Sequence, residues 1–506
     1  MYNKENLAHH RPDDALSRYE TLYIGGEWVK PLDGGMMDSI DPATGKPWAK
    51  VAYGGKKDID RAVSAARAAF EGPWGKMPAW ERAALLRRLA DLYQQHAPEL
   101  AVLETRDSGR ALRESRNDVG AHHNWYQWYA SLCDKQNGRT IPMDDSVHAY
   151  TSRLPVGVVG AIMPWNAPLL GACWKLGPAL AAGCTIVLKP AEQTPVTTLE
   201  LAKLVEAAGF PPGVVNVVPG YGQDGAGERL VEHPDVDKIS FTGEGDTART
   251  ILKSGADTLK RFSFELGGKA PHIIFDDADL EQALNAATNS AWTLCGQSCA
   301  LGSRVLVERS VYDRVVEAFK HRASKVRVGL PLNAATHMGP QSSSEQLAKT
   351  LSYIDIGRNE GAELITGGQR LQRDELSGGY FVEPTVFANA NNGMRIAQEE
   401  IFGPVATIIP FEGEDEAVAI ANDTSYGLTA GLWSRDLGRA HRVAARIRAG
   451  TVWVNTYRYI RWTTPYGGFG ASGWGRENGV EGLDSYLETR TTVISTTGQF
   501  PDAYAD

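Results

Sequence analysis

The spacing of apolar residues changes along the chain, and each change predicts a different kind of element. Over 58–109 they recur three and four apart, in RAVSAARAAFEG (61–72) and WERAALLRRLADLYQQHAPELAVLETRDSG (80–109), which predicts two helices. A third, aromatic-rich helical segment is expected near 117–133. The turn-rich stretch 137–155 carries one expected strand, at 148–154. Over 156–275 short apolar runs alternate with helical stretches such as TTLELAKLVEAAG (197–209). The runs are VGVVGAIM (156–163), TIVLK (185–189), VVNVV (214–218), KISFT (238–242), RFSFE (261–265) and HIIF (272–275). This alternation predicts a parallel sheet covered on both faces, an architecture that suits nucleotide cofactors.

A second α/β stretch is expected over 280–454, with strands SRVLVER (303–309) and VATIIPF (405–411) and helices over 312–326 and 415–424. Residues 465–482 are glycine-rich and loop-like, and SYLETRTTVIST (485–496) reads as an edge strand seeking a partner. Residues 1–20 are polar and expected to be mobile, and they lack the apolar core of a signal peptide.

Composition changes this picture little. With 506 residues, 42% hydrophobic and 22% charged, the chain has room for large cores without disulfides. A net charge of −9 argues against nucleic acid or an anionic membrane as main partner. No apolar run is long enough to span a bilayer. The five cysteines (133, 173, 184, 295, 299) have neither disulfide-framework nor zinc-site spacing and suit a reducing cytoplasm, with no metal expected.

Three side chains could carry chemistry. Cys299, in GQSCALGSR (296–304), is a candidate nucleophile, and buried filler is the alternative. Cys295 reads as a core residue one helical turn behind it. Glu265 ends a strand beside two glycines, which leave room for a ligand; a salt bridge to Lys269 fits as well. Asn166 lies between two prolines in PWNAP, as a rigid amide donor or an ordinary turn residue. Together they would supply a nucleophile, a water-activating carboxylate and an oxyanion donor. The formal GxGxxG at 220–225 lacks the acid expected about 20 residues on at the end of a second strand. Phe241-Thr242-Gly243, at a strand end before the helix expected over 246–255, is the better phosphate site.

Seven motifs in order resemble the NAD(P)-dependent aldehyde dehydrogenase superfamily: IMPWNAPLL (162–170), LKPAEQTP (188–195), ISFTGE (239–244), FELGGKAP (264–271), GQSCALGSR (296–304), EEIFGPV (399–405) and PYGGFGASGWGREN (465–478). The resemblance covers about 20–495. It implies an α/β fold with a Rossmann-like NAD-binding domain (20–136 and 156–267), an α/β catalytic domain (268–470) and a small β oligomerisation segment (137–155 and 484–497). It places Cys299 on the nucleophile, Glu265 on the general base and Asn166 on the oxyanion donor, with Lys175 among the catalytic positions. Cofactor positions fall on Trp165, Lys189, Glu192, Gly243, Glu244, Glu400 and Phe402, and substrate-tunnel positions on Ala167, Trp174, Arg458 and Tyr466. Glu192 would repel a 2′-phosphate, so the implied cofactor is NAD rather than NADP. The implied partner is a small-molecule aldehyde, and the implied assembly is a homodimer or homotetramer.

The chain departs from the pattern at Glu244, where serine is usual, at Ala248, at Ala167 and at Leu294. Arg458 and Arg461 stand where relatives line the tunnel mouth; they could meet a substrate carboxylate or form a solvated rim. With Glu244, they favour a semialdehyde carrying a carboxylate. A cofactor-independent cysteine esterase and a non-catalytic NAD-binding scaffold remain as other classes.

Overall fold

The computed structural model describes residues 16–499 and 502–504. Of the amino-terminal run expected to be mobile, residues 1–15 lie outside the described residues. Ser17–Tyr19 is a strand paired in parallel with Lys46–Tyr53. The described residues form four sheets, two large and two of three strands.

The first large sheet is doubly wound. Its parallel strands stand in the spatial order Arg261–Glu265, Lys238–Thr242, Val158–Ile162, Thr185–Lys189, Val215–Val217. The chain begins in the middle at Val158–Ile162, steps outward twice, then returns to build the other side. The reversal leaves a crevice beyond the carboxyl ends of Val158–Ile162 and Lys238–Thr242, where open α/β sheets bind ligands. Side-chain alternation serves both faces: Ile186 and Leu188 join one apolar core, Val187 another. Antiparallel strands extend both edges, Leu22–Ile24 with Glu27–Val29 at one and Gly473–Trp474 at the other.

The second large sheet has the order Glu363–Thr366, Thr385–Ala388, Val405–Phe411, Arg304–Glu308, Pro271–Ile274, Thr429–Trp433, Thr451–Val454. The apolar run at 272–275, grouped by its neighbours with the first α/β stretch, belongs here, between Arg304–Glu308 and Thr429–Trp433. Glu265 ends the last parallel strand of one sheet and Pro271 opens a strand of the other, so FELGGKAP crosses between them.

Helices end where their sequences require it. Pro168–Ala182 has proline in its first turn and stops at Gly183, whose φ of 96° suits glycine. The helices expected over 61–72 and 80–109 are Lys56–Glu71 and Ala79–Ser108; the segment near 117–133 divides into Leu112–Ala121 and His123–Leu132. The expected edge strand is Leu487–Ser495, and its partner is Val147–Pro155 of the same chain, antiparallel from Leu487 opposite Pro155 to Ser495 opposite Val147. Val493 and Ile494 on it are exposed, as is nearby Met143. Among the described residues no helix is long and apolar enough to cross a membrane.

Candidate active site

A cleft of about 740 Å³ opens at the switch point of the first sheet. Trp165, Asn166, Lys189, Glu192, Gly243, Glu244, Glu265, Cys299, Glu400 and Phe402 all line it. Residues from both large sheets thus meet around one space. Lys175, Ala167, Trp174, Arg458 and Tyr466 lie outside its lining.

Asn166 sits in the turn between Val158–Ile162 and Pro168–Ala182. The turn is pinned by the Met163 N–H, which donates to the Lys189 carbonyl at 3.0 Å. The Asn166 Nδ2 donates to the Gln297 carbonyl at 3.0 Å. That bond ties the amide to the loop carrying Cys299, two residues on. Ala167 is buried at the start of the helix.

Cys299 follows a strained turn. Leu294 and Cys295 hold φ of 51° and 58°, a region costly for both side chains. Neighbours fix this geometry. Glu114 accepts from Thr293 Oγ1 at 2.7 Å and from Leu294 N at 2.9 Å. Gln341 donates to the Cys295 carbonyl at 2.9 Å, and Gln297 Oε1 accepts from Ser342 N at 2.9 Å. Gly296 has a φ of 74°, and any Cβ there would collide with the Gly403 backbone. Cys295 is fully buried, as expected of a core residue; however, a left-handed turn separates it from Cys299 rather than a helical one. Burial pushes its thiol far above the ordinary range.

The Cys299 sulfur lies 3.6 Å from the Tyr466 hydroxyl. Burial raises its thiol to about 11; the Tyr466 bond and Arg458 pull the other way, Glu265 and Glu400 reinforce the rise. Without a cationic ligand beside it, this sulfur stays protonated at neutral pH.

Glu265 ends its strand fully enclosed, and neither carboxylate oxygen has a hydrogen-bond partner. The salt bridge to Lys269 does not form. Burial, then the nearby charge of Glu477, drives its pKa well above the usual carboxylate range against Lys175 and Arg476. Gly467 leaves it space, since a Cβ there would come within 2.7 Å of its Oε1. Lys175 Nζ is spent on Glu477 at 2.8 Å and Ser240 Oγ at 3.1 Å.

At the far end of the cleft, Lys189 Nζ donates to the carbonyls of Pro190 and Gly220 and lies 3.5 Å from Glu192. Gly243 and Glu244 precede the helix Gly245–Gly255, whose first turn has no side-chain cap. Glu244 does not face an anion site alone, because Lys349 Nζ pairs with it at 3.1 Å. The 220–225 loop shares the cleft through Gly222 and Gln223. Asp237 accepts from the Val158 N–H at the opposite end of the strands and pairs with Arg67. Glu400 accepts from Gly268 N at 2.9 Å and is raised to about 7 by burial. The ring of Phe402 meets Trp165 edge-on, centroids 5.2 Å apart.

The sequence profile of the aldehyde dehydrogenase family matches residues 28–492. The chain belongs to the aldehyde dehydrogenase family. It is 46% identical over 487 residues to an aldehyde dehydrogenase of Enchytraeus buchholzi, covering 96% of this chain and 97% of that one. It is 44% identical over 480 residues to the betaine aldehyde dehydrogenase of Bacillus subtilis, covering 94% and 98%. Among solved structures, betaine aldehyde dehydrogenase of Staphylococcus aureus in complex with NAD+ superposes with a TM-score of 0.95 at 42% identity, covering 99% of this chain and 98% of that one.

In this aldehyde dehydrogenase, several site residues escaped the sequence reading. Gln297 receives Asn166, Glu114 holds the turn before Cys299, Glu477 engages Lys175, and Lys349 neutralises Glu244. Gln297 and Glu477 stand inside motifs already noted, whereas Glu114 and Lys349 stand in helices whose sequences carry no such signal.

Proposed function

We propose that this protein oxidises an aldehyde to a carboxylic acid with NAD, through a thiohemiacetal and a thioester on Cys299. The observation that carries the reading is that Cys299, Asn166 and Glu265 line one cleft, with both oxygens of Glu265 enclosed and unpartnered.

The residues present fit a dinucleotide. The uncapped first turn of Gly245–Gly255 offers N–H groups to phosphate, and Lys189 with Glu192 offers a ribose-sized polar pair. Glu400 and Phe402 would hold the nicotinamide end. A carboxylate at Glu192 favours NAD over NADP, and the NAD+ complex of the Staphylococcus aureus relative supports the same choice. When bound, the cofactor supplies a hydride acceptor and a positive ring.

The chain's own groups do the rest. The Cys299 sulfur, deprotonated, attacks the aldehyde carbon. The Asn166 amide steadies the oxyanion, a contribution of about 3 kcal/mol. The hydride leaves that carbon, and a thioester remains on the sulfur. Glu265 removes a proton from water, which attacks the thioester carbon; the acid departs and the thiol is restored. A carboxyl raised by burial is a stronger base once ionised, and a water-activating base argues against resolution by coenzyme A. Lys175 acts through its pair with Glu477, partly offsetting the charge that this second carboxylate presents to Glu265.

The substrate reading is a semialdehyde, supported by Arg458 in the 457–462 segment, whose Nη1 is enclosed and unpartnered. We divide the chain into an NAD-binding domain (20–136, 156–267), a catalytic domain (268–470) and an oligomerisation segment (137–155, 484–497). The outer edge of Leu487–Ser495 would pair with a second copy to give a homodimer or homotetramer. Five free cysteines suit the cytoplasm. The test is to mix protein, NAD and small aldehydes and follow NADH absorbance. Turnover that Cys299→Ala abolishes, with NAD binding intact, supports the reading. Ester hydrolysis without NAD-linked oxidation would replace it with the esterase.

A further inference from the structure

We propose that Arg458 is the substrate-binding cation of this enzyme and selects aldehydes that carry a carboxylate. The proposal rests on the oxidation reading above and narrows its substrate.

Arg458 lies in the loop after Thr451–Val454, with a φ of 55° that is costly for a long side chain. Its Nη1 is enclosed and has no hydrogen-bond partner. An arginine that serves only as a solvated rim exposes its nitrogens to water; this one withdraws a donor from water and leaves it empty. Its charge is felt at the Cys299 sulfur and at the Tyr466 hydroxyl. Asp118, an acid that feels this charge, is already held by Arg110. Arg461, in contrast, is exposed and lies over the Tyr459 ring at 4.2 Å, which leaves it at the rim.

The surroundings suit an organic anion rather than a free ion. Cys299 lines the cofactor cleft but Tyr466, 3.6 Å from its sulfur, does not, so the sulfur stands between the cofactor cleft and the Tyr466 side. That side is aromatic. Tyr466 packs on Trp174 with centroids 5.2 Å apart, and Trp453 on Tyr457 at 4.9 Å. A flat body packed against this aromatic wall, its carboxylate on the guanidinium, satisfies both features.

The experiment uses the full-length protein with NAD and three aldehydes of one shape: para-formylbenzoate, benzaldehyde and para-(trimethylammonio)benzaldehyde. The wild type is expected to prefer the anion, with the cation poorest. Arg458→Met is expected to lower the anionic-to-neutral ratio of kcat/KM by on the order of 100-fold, and Arg458→Lys to restore part of it. A second readout needs no turnover: benzoate should protect Cys299 of the wild type from iodoacetamide better than benzamide does. That difference should vanish in Arg458→Met. Equal use of all three aldehydes by the wild type, or a ratio unmoved by Arg458→Met, overturns the proposal. A parallel loss on anionic and neutral aldehydes also overturns it, because the arginine would then serve the thiolate. If no aldehyde is oxidised, the underlying reading fails, and the benzoate protection still decides the role of Arg458.

Discussion

Replacing Glu265 with glutamine separates two consequences of one buried carboxyl. The first is kinetic. Glutamine keeps the shape but cannot take a proton from water, so the thioester should form and then persist. Loss of a general base slows a step by roughly 10²- to 10⁴-fold, so steady turnover should fall by that factor while a burst of NADH matching the enzyme concentration survives. The second is thermodynamic. Glu265 is enclosed without partners, and its pKa stands well above the ordinary carboxylate value in the folded chain. The folded state therefore binds a proton that the unfolded state has released. Its stabilising share is complete below the unfolded pKa and declines as pH rises towards the folded one. In that window the wild type loses about 1.4 kcal/mol per pH unit from this group, and the glutamine variant loses none. The variant should therefore gain steadily on the wild type as pH rises above the ordinary carboxylate range, read from denaturant midpoints and slopes. Stopped-flow absorbance reads the burst. A variant that turns over like the wild type, or whose relative stability ignores pH, would refute the assignment of Glu265 as a buried base.

Asn166→Ala removes the proposed oxyanion donor and its tie to Gln297, so kcat should fall by about 10²- to 10³-fold, with NAD affinity by fluorescence titration little changed. Alkylation of Cys299 by iodoacetamide without cofactor should be slow at neutral pH and rise about tenfold per pH unit towards its raised pKa of about 11, followed by peptide mass spectrometry. Cys295 should stay unlabelled in the folded protein. Glu244→Gln frees Lys349 and removes an acid beside the turn proposed to bind phosphate, so NAD should bind several-fold more tightly, with a steeper salt dependence in titration calorimetry.

The elements legible in the sequence were those whose pattern depends on their own residues. TIVLK, KISFT, RFSFE and VATIIPF are strands with the expected bounds, because each is a short run rich in β-branched or aromatic residues. The short strands Leu22–Ile24 and Glu27–Val29 were not read, because three residues carry no period. Sheet membership of 271–274 could not be read from spacing, since pairing with Arg304–Glu308 is a long-range choice. The three candidate side chains stood in motifs, and the structure brings them to one cleft. Their pKa directions depend on enclosure by distant segments, and so does the Glu114 tether to the Cys299 turn. The acid at 244 was puzzling in sequence; Lys349, 105 positions away, accounts for it.

The most direct measurement is to quench the protein with acid after brief exposure to NAD and aldehyde, then weigh the cysteine peptides. An acyl mass on Cys299 that requires NAD, accumulates in Glu265→Gln and is absent from Cys295 is the expected result. No acyl adduct on residue 299, or one that forms without cofactor, would contradict the account.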